Sequence, residues 1–172
     1  MCGSELVGLP TGVGRVSEAL QEGGHTAGLT MLKEPARTAL EAAAALGVFL
    51  GQIAKSIVFR RSVDDLAVLV ITSGDRRVDQ EKVAGLVGPV GRVDAVFVKA
   101  KTGFPIGGVA PVGLATKCIT LIDQELFRYP LVWLAAGDPN AVFSIEPEQL
   151  VALTQAPSVD VTLCPLVQSI CR

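Results

Sequence analysis

Hydrophobic and polar positions along this chain follow two periods, and the switches between them outline an α/β protein. In VGRVSEALQEGG (13–24), Val13, Val16 and Leu20 recur near helical spacing and a glycine pair ends the run, which predicts a helix. HTAGLTML (25–32) predicts a strand leading to Pro35. Thr38 carries the hydroxyl that suits an N-cap, so ALEAAAALGV (39–48) is expected to be an alanine-rich helix stopped at Gly47. GQIAKSIVFRR (51–61) begins as a turn or short helix and continues as the strand SIVFR. After a turn at Asp64–Asp65, LAVLVITSG (66–74) is apolar at almost every position, the mark of a strand covered on both faces.

The second half continues in the same way. VDQEKVAGLVG (78–88) has helical spacing with Asp79 as its cap, and VDAVFVKA (93–100) fits either a short strand or a helix. CITLIDQEL (118–126) and YPLVWLAAG (129–137) look like central strands, AVFSI (141–145) like another, and VDVTL (159–163) like the last. PEQLVALTQ (147–155) is a helix with Pro147 in its first turn. No repeat or linker divides the chain, which predicts one α/β domain over 1–172 with a mixed, largely buried sheet.

Between these elements lies TGFPIGGVAP (102–111), three glycines and two prolines among apolar residues. Glycine permits positive φ or close approach, whereas proline fixes φ and removes an N–H. Such a loop has a defined shape and an exposed main chain, and serves equally as the wall of a ligand site or as a wide turn.

Composition narrows the function classes. The chain has 172 residues, 49% hydrophobic and 19% charged, so it can build a core and lacks a disorder signature. Its longest apolar runs fall well short of the about 20 residues of a membrane span, and its N-terminus shows no signal-peptide pattern; a cytoplasmic location is the expectation. Cys2, Cys118, Cys164 and Cys171 lack paired-ligand spacing, and His25 is the single histidine, so neither a zinc site nor a histidine-based catalytic device is expected. Cys164 and Cys171 are candidates for pairing only after oxidation. The net charge of −2 argues against broad wrapping of a nucleic acid but permits local docking on Arg60–Arg61, on Arg76–Arg77 with Lys82, or on Arg92 with Lys99 and Lys101.

Chemistry-bearing positions are few. Lys55 stands alone in QIAKSIVF, either an ordinary exposed lysine at a strand entry or a compact cation for phosphate or developing negative charge. Asp123 ends an apolar strand, where it caps a turn or has a buried partner. Asp138 in AAGDPN is a turn residue or a carboxylate at a pocket edge.

RTALEAAAALGV (37–48) followed by QIAKSIVF (52–59), the loop TGFPIGGVAPVG (102–113), TLID (120–123) and AAGDPNAVFSIEPEQL (135–150) together resemble the YbaK/prolyl-tRNA synthetase-associated editing domain family. The resemblance runs from about residue 13 to 163, leaving short tails. It implies a mixed α/β, barrel-like sheet with outer helices, and a trans-acting deacylase hydrolysing Cys or Ala from tRNA(Pro). The 3′ acceptor end of an aminoacyl-tRNA is then the substrate, prolyl-tRNA synthetase a candidate partner, and no metal or cofactor is required.

Residue by residue, the family lysine falls on Lys55, the G-x-x-x-P loop on Gly107–Pro111, the pocket aspartate on Asp123 and the late glycine on Gly137. Lys55, Gly107 and Gly108 are the implied catalytic positions, with main-chain donors at the two glycines stabilising an oxyanion. Thr38, Phe104, Ile106, Val109, Pro111, Asp123, Gly137 and Asp138 are the implied substrate positions. Asp138 stands where some members carry histidine, a departure that favours, as an alternative, a non-catalytic module binding a small ligand or a synthetase. A hydrolase or binding protein for small nucleotides or amino-acid esters is the third possibility.

Overall fold

The computed structural model describes residues 9–165. Helix α1 (Thr11–Glu22) buries Val13, Val16 and Leu20, the positions whose spacing predicts it. The strand expected over 25–32 shrinks to β1 (Thr30–Met31), because His25 instead sets its ring edge-on to Phe143. Helix α2 (Ala39–Leu46) starts at Thr38, whose Oγ1 accepts the Glu41 N–H while the Glu41 carboxylate accepts the Thr38 N–H. It stops at Gly47, which turns left-handed at φ +67°.

A single 3-10 turn (Leu50–Gln52) leads into β2 (Ala54–Arg61) and then β3 (Ala67–Ser73). Next come α3 (Gln80–Val87), capped by Asp79, and β4 (Val90–Gly91). Segment 93–100 is helical: α4 (Ala95–Thr102) begins where Asp94 accepts the Phe97 N–H at 2.8 Å. Then follow β5 (Ile119–Asp123), the 3-10 helix Gln124–Arg128, β6 (Val132–Ala135), β7 (Ala141–Ile145), α5 (Pro147–Thr154) and β8 (Ser158–Val159).

Five strands form one mixed sheet in the order β4-β2-β3-β5-β8, parallel at β3–β5 and β5–β8. The other three make an antiparallel sheet, β1-β7-β6. Segment 129–137 is therefore not a central strand; its ordered part, β6, is an edge of the smaller sheet. The two sheets meet at one parallel bridge, Ile53–Trp133, and do not close into a barrel. Segment 159–163 contributes the end of β8 and a bridge from Val78 to Thr162.

Both faces of the larger sheet are covered, which explains why all seven residues of β3 are buried. Leu69 and Ile71 join α1 and β7 in one cluster, while Val68 and Val70 meet Val83 of α3, Phe59 and Leu121 in another. One strand is covered less evenly. β4 pairs only with Arg60 and Arg61, so residues 54–59 of β2 have a ladder partner in β3 alone.

No helix among the described residues is long and apolar enough to cross a membrane. Cys118 and Cys164 are free thiols; Cys2, Cys171 and the Cys164–Cys171 pairing lie outside the described residues.

Helix α1 docks through Gly12, where a Cβ would lie 2.5 Å from the Gly137 carbonyl oxygen, whereas Gly14 faces open space. Gly12→Ala is expected to destabilise by about 1–3 kcal/mol through overpacking. Gly14→Ala in the same helix is expected to stabilise by about 0.5–1 kcal/mol. Urea unfolding of the two variants checks the opposite signs.

Candidate active site

The open half of β2, the first turn of α2 and two loops enclose a cleft of about 330 Å³. Ala39 and Ala42 of α2, with Ala36, Ala54 and Ala135, give it short apolar walls, and Trp133 adds an aromatic one. The three alanines 36, 39 and 42 recur every three residues, so one face of the α2 region is kept free of bulk. Of the positions singled out in the sequence, Thr38, Lys55, Ile106, Gly107 and Val109 line this space. Arg37, Ser56, Trp133 and Pro139 line it as well and were not anticipated. The chain's single tryptophan and the alanine spacing were the available signals.

Lys55 stands at the rim. Its ammonium donates to the Arg76 carbonyl at 2.9 Å. Burial pushes its pKa below the ordinary 10.5; nearby Asp75 opposes that shift, Arg77 adds to it and Asp123 opposes it. The carbonyl that receives the ammonium belongs to a braced turn. Arg76 pairs with Glu125 at 3.0 Å, Arg128 with Asp75 at 2.7 Å, and Arg128 also reaches Ser73 Oγ at 2.9 Å. Side chains from three segments thus hold one main-chain oxygen in place.

The two loops form a single wall. Gly107 has φ +86° and borders the cleft, with Pro139 across from it. Gly108 is buried; a Cβ there would lie 2.9 Å from the Asp138 Cα, so its lack of a side chain lets the loops touch. Its N–H donates to the Pro105 carbonyl at 3.0 Å. The amides of Gly107 and Val109 donate to no group among the described residues. Phe104 is fully buried beneath the Arg15 guanidinium, 4.8 Å from the ring centre, and Pro111 is buried behind the loop.

Comparison with known proteins gives this cleft a context. An aminoacyl-tRNA editing domain model matches residues 33–153. The chain belongs to the aminoacyl-tRNA editing domain family. A solved structure described as a candidate trans-editing enzyme for prolyl-tRNA synthetase superposes with a TM-score of 0.84 at 40% identity, covering 91% of this chain and 99% of that one. The Bacillus subtilis (strain 168) protein YwhH is 33% identical over 123 residues, 71% of this chain and 78% of its own. EbsC of Enterococcus faecalis (strain ATCC 700802 / V583), a candidate Cys-tRNA(Pro)/Cys-tRNA(Cys) deacylase, is 28% identical over 70% of this chain and 74% of its own. The activity class of the chain is aminoacyl-tRNA deacylation.

Three further positions support the editing domain's cleft from behind rather than line it. Asp123 is fully buried; it accepts Thr72 Oγ1 at 3.0 Å, the Ser73 N–H at 3.3 Å and the Glu125 N–H at 3.0 Å. With three donors around one carboxylate, its burial is compensated and the end of β5 is tied to the end of β3. Gly137, at φ +92°, makes the close contact with Gly12. Asp138 closes its own turn, accepting the Asn140 N–H at 2.8 Å. Among the described residues no cluster of His, Cys, Asp or Glu could hold a metal.

The depressed pKa of Lys55 has a stability consequence. The folded editing domain holds the ammonium less well than the unfolded chain does, so below the lowered pKa the lysine imposes a constant penalty. As pH rises from that value to 10.5, the unfolded chain binds the extra proton and the penalty fades. Lys55→Met is expected to raise the melting temperature at pH 7, with the difference from wild type narrowing in alkaline buffer. Calorimetry across pH 7–10 checks both.

Proposed function

We propose that this editing domain acts in trans to hydrolyse alanine or cysteine from tRNA(Pro). The observation that carries this reading is a cleft whose lining includes five alanines, Lys55 and the Gly107 loop, where the Gly107 and Val109 amides have no partner among the described residues. A synthetase pocket separates small apolar analogues poorly, by about 1–3 kcal/mol per methylene, so a second site that admits only small side chains supplies the missing discrimination. Cys-tRNA(Pro) stands in the name of EbsC and prolyl-tRNA synthetase in that of the solved trans-editing relative, which supports the tRNA(Pro) part of this reading; alanine rests on the size of the cleft lining.

The aminoacyl side chain would enter between Ala39, Ala42 and Ala54, where Ser56 Oγ is buried without a hydrogen bond and is free to meet a polar group of the substrate. The ester carbonyl would face Gly107 and Val109, whose amides would stabilise the oxyanion formed as water adds to the carbonyl carbon. Collapse breaks the ester C–O bond, and the ribose oxygen of the terminal adenosine leaves with a proton. An aminoacyl ester is reactive enough for water, without a protein nucleophile. Lys55 would hold the 5′-phosphate of that adenosine, a role for a compact cation. Delivery of mischarged tRNA by prolyl-tRNA synthetase is part of this proposal.

Purified protein is expected to deacylate Ala- or Cys-tRNA(Pro) well above the buffer rate and to spare Pro-tRNA(Pro). Lys55→Met is expected to lose about 100-fold or more in single-turnover rate while remaining folded. Hydrolysis of no mischarged tRNA in a panel that includes Ser-tRNA(Pro) would sink the deacylase reading in favour of a binding module.

A further inference from the structure

Behind the rim of the cleft, on the opposite face of β2, lies a second concavity of about 270 Å³. Its floor is Ile57 and Phe59, and Lys55, Arg77 and Arg92 surround it. Lys55 and Ile57 belong to both spaces, so the two communicate around the open edge of the strand. Side chains alternate along a strand, and the edge beside 54–59 carries no neighbour from β4.

The charges of this notch differ from those of the basic residues that fold against carboxylates. Arg60 pairs with Asp65, Arg61 with Asp64, Arg76 with Glu125 and Lys82 with Asp160. These pairings consume much of the basic patches suggested by sequence adjacency. Lys55, Arg77 and Arg92 form no salt bridge among the described residues. They come from three separate segments and converge on one apolar-floored hollow. Arg77 also helps depress the Lys55 pKa, after burial and against the opposing charge of Asp75, as its place in the same hollow requires.

Main-chain contacts tie down the frame of the notch. The Arg77 carbonyl accepts the Leu163 N–H at 2.9 Å, and Gln80 Nε2 donates to the Val90 carbonyl at 2.7 Å, beside Arg92. Arg77 and Arg92 are exposed. Converging, unpaired cations over a phenylalanine and an isoleucine suit a segment with both negative charge and a flat apolar face, which is the chemistry of a single-stranded nucleotide.

We propose that the notch binds the phosphodiester backbone of the unpaired 3′ strand, one or two nucleotides before the esterified adenosine. This rests on the editing reading for the identity of the strand. It extends that reading from the cleft to a second site that sets where the acceptor end runs as it leaves the cleft. The apolar floor would receive a base or sugar, and Arg77 and Arg92 the phosphates.

The test has a binding arm that needs no ester. An uncharged acceptor-stem RNA hairpin with a single-stranded CCA 3′ end is titrated by fluorescence anisotropy into wild type, Arg77→Gln, Arg92→Gln and Lys117→Gln. Lys117 is exposed and lines neither space. Each arginine variant is expected to weaken binding several-fold and to flatten the slope of log affinity against log salt by about 0.7. Lys117→Gln is expected to do neither, and removing the hairpin's single-stranded end is expected to bring wild type to the level of the variants.

A second arm measures deacylation, where the arginine variants are expected to raise KM at least several-fold with kcat within about twofold. Arginine variants that bind the hairpin with wild-type affinity and wild-type slope overturn the notch, even if deacylation proceeds. Variants that lose affinity in a protein that hydrolyses no mischarged tRNA support the notch and sink the deacylase reading.

Discussion

The site depends on one asymmetry in strand pairing. β4 is two residues long and reaches only Arg60 and Arg61, so the first part of β2 is paired along its length by β3 alone and meets β6 only at the Ile53–Trp133 bridge just before it. Had β4 run the full length of β2, the cleft and the notch would both be filled by backbone. The open stretch is tolerable because its inner neighbour, β3, is buried throughout and anchors it over seven paired positions. Stability is concentrated in one strand, and access is granted along the next.

Placing a cation on that stretch creates a tension that the surrounding residues contain. Lys55 is half-buried and its charge is disfavoured there, yet its ammonium is held to the Arg76 carbonyl. The turn carrying that carbonyl is braced by Arg128, Asp75 and Glu125, and Asp123 ties the adjoining strand ends with three accepted hydrogen bonds. Partly exposed ion pairs are individually weak contributors to stability. Their value here is geometric, since they restrict where the lysine head can rest. Asp123, which does not line the cleft, thus helps hold the strand ends beside the turn that Lys55 contacts.

Much of the fold was legible because local chemistry and tertiary context agree. Thr38 bounds α2 through its hydroxyl and Gly47 through its lack of a Cβ, and the unbroken apolar run of β3 announced its burial. Disagreements arose where pairing partners decide the outcome. Residues 25–29 have strand-like composition but pack His25 on Phe143, and 129–137 has core-strand composition but sits at the edge of a smaller sheet. Lys55 could be picked from sequence as a lone cation among apolar residues, whereas Gly107 and Val109 came with the family resemblance. Sequence adjacency places Arg77 and Arg92 in two separate basic patches, and only folding gives Arg76 a carboxylate, leaves Arg77 without one and brings Arg77 and Arg92 to one hollow. The main-chain contact between Gly108 and Asp138 is equally invisible to any local pattern, because it joins loops thirty positions apart.

An open strand in solution also invites another strand. Exposed ladder groups on 54–59 would accept a neighbouring chain and zip copies together edge to edge, the usual route from an unpaired edge to aggregation. Here the stretch carries Lys55 near one end and the Arg60–Asp65 and Arg61–Asp64 ion pairs at the other, so charged side chains stand at both ends of the strand that a second copy would have to join. Charged side chains at the ends of an incompletely paired strand are a common means of keeping such a strand from extending into a second copy.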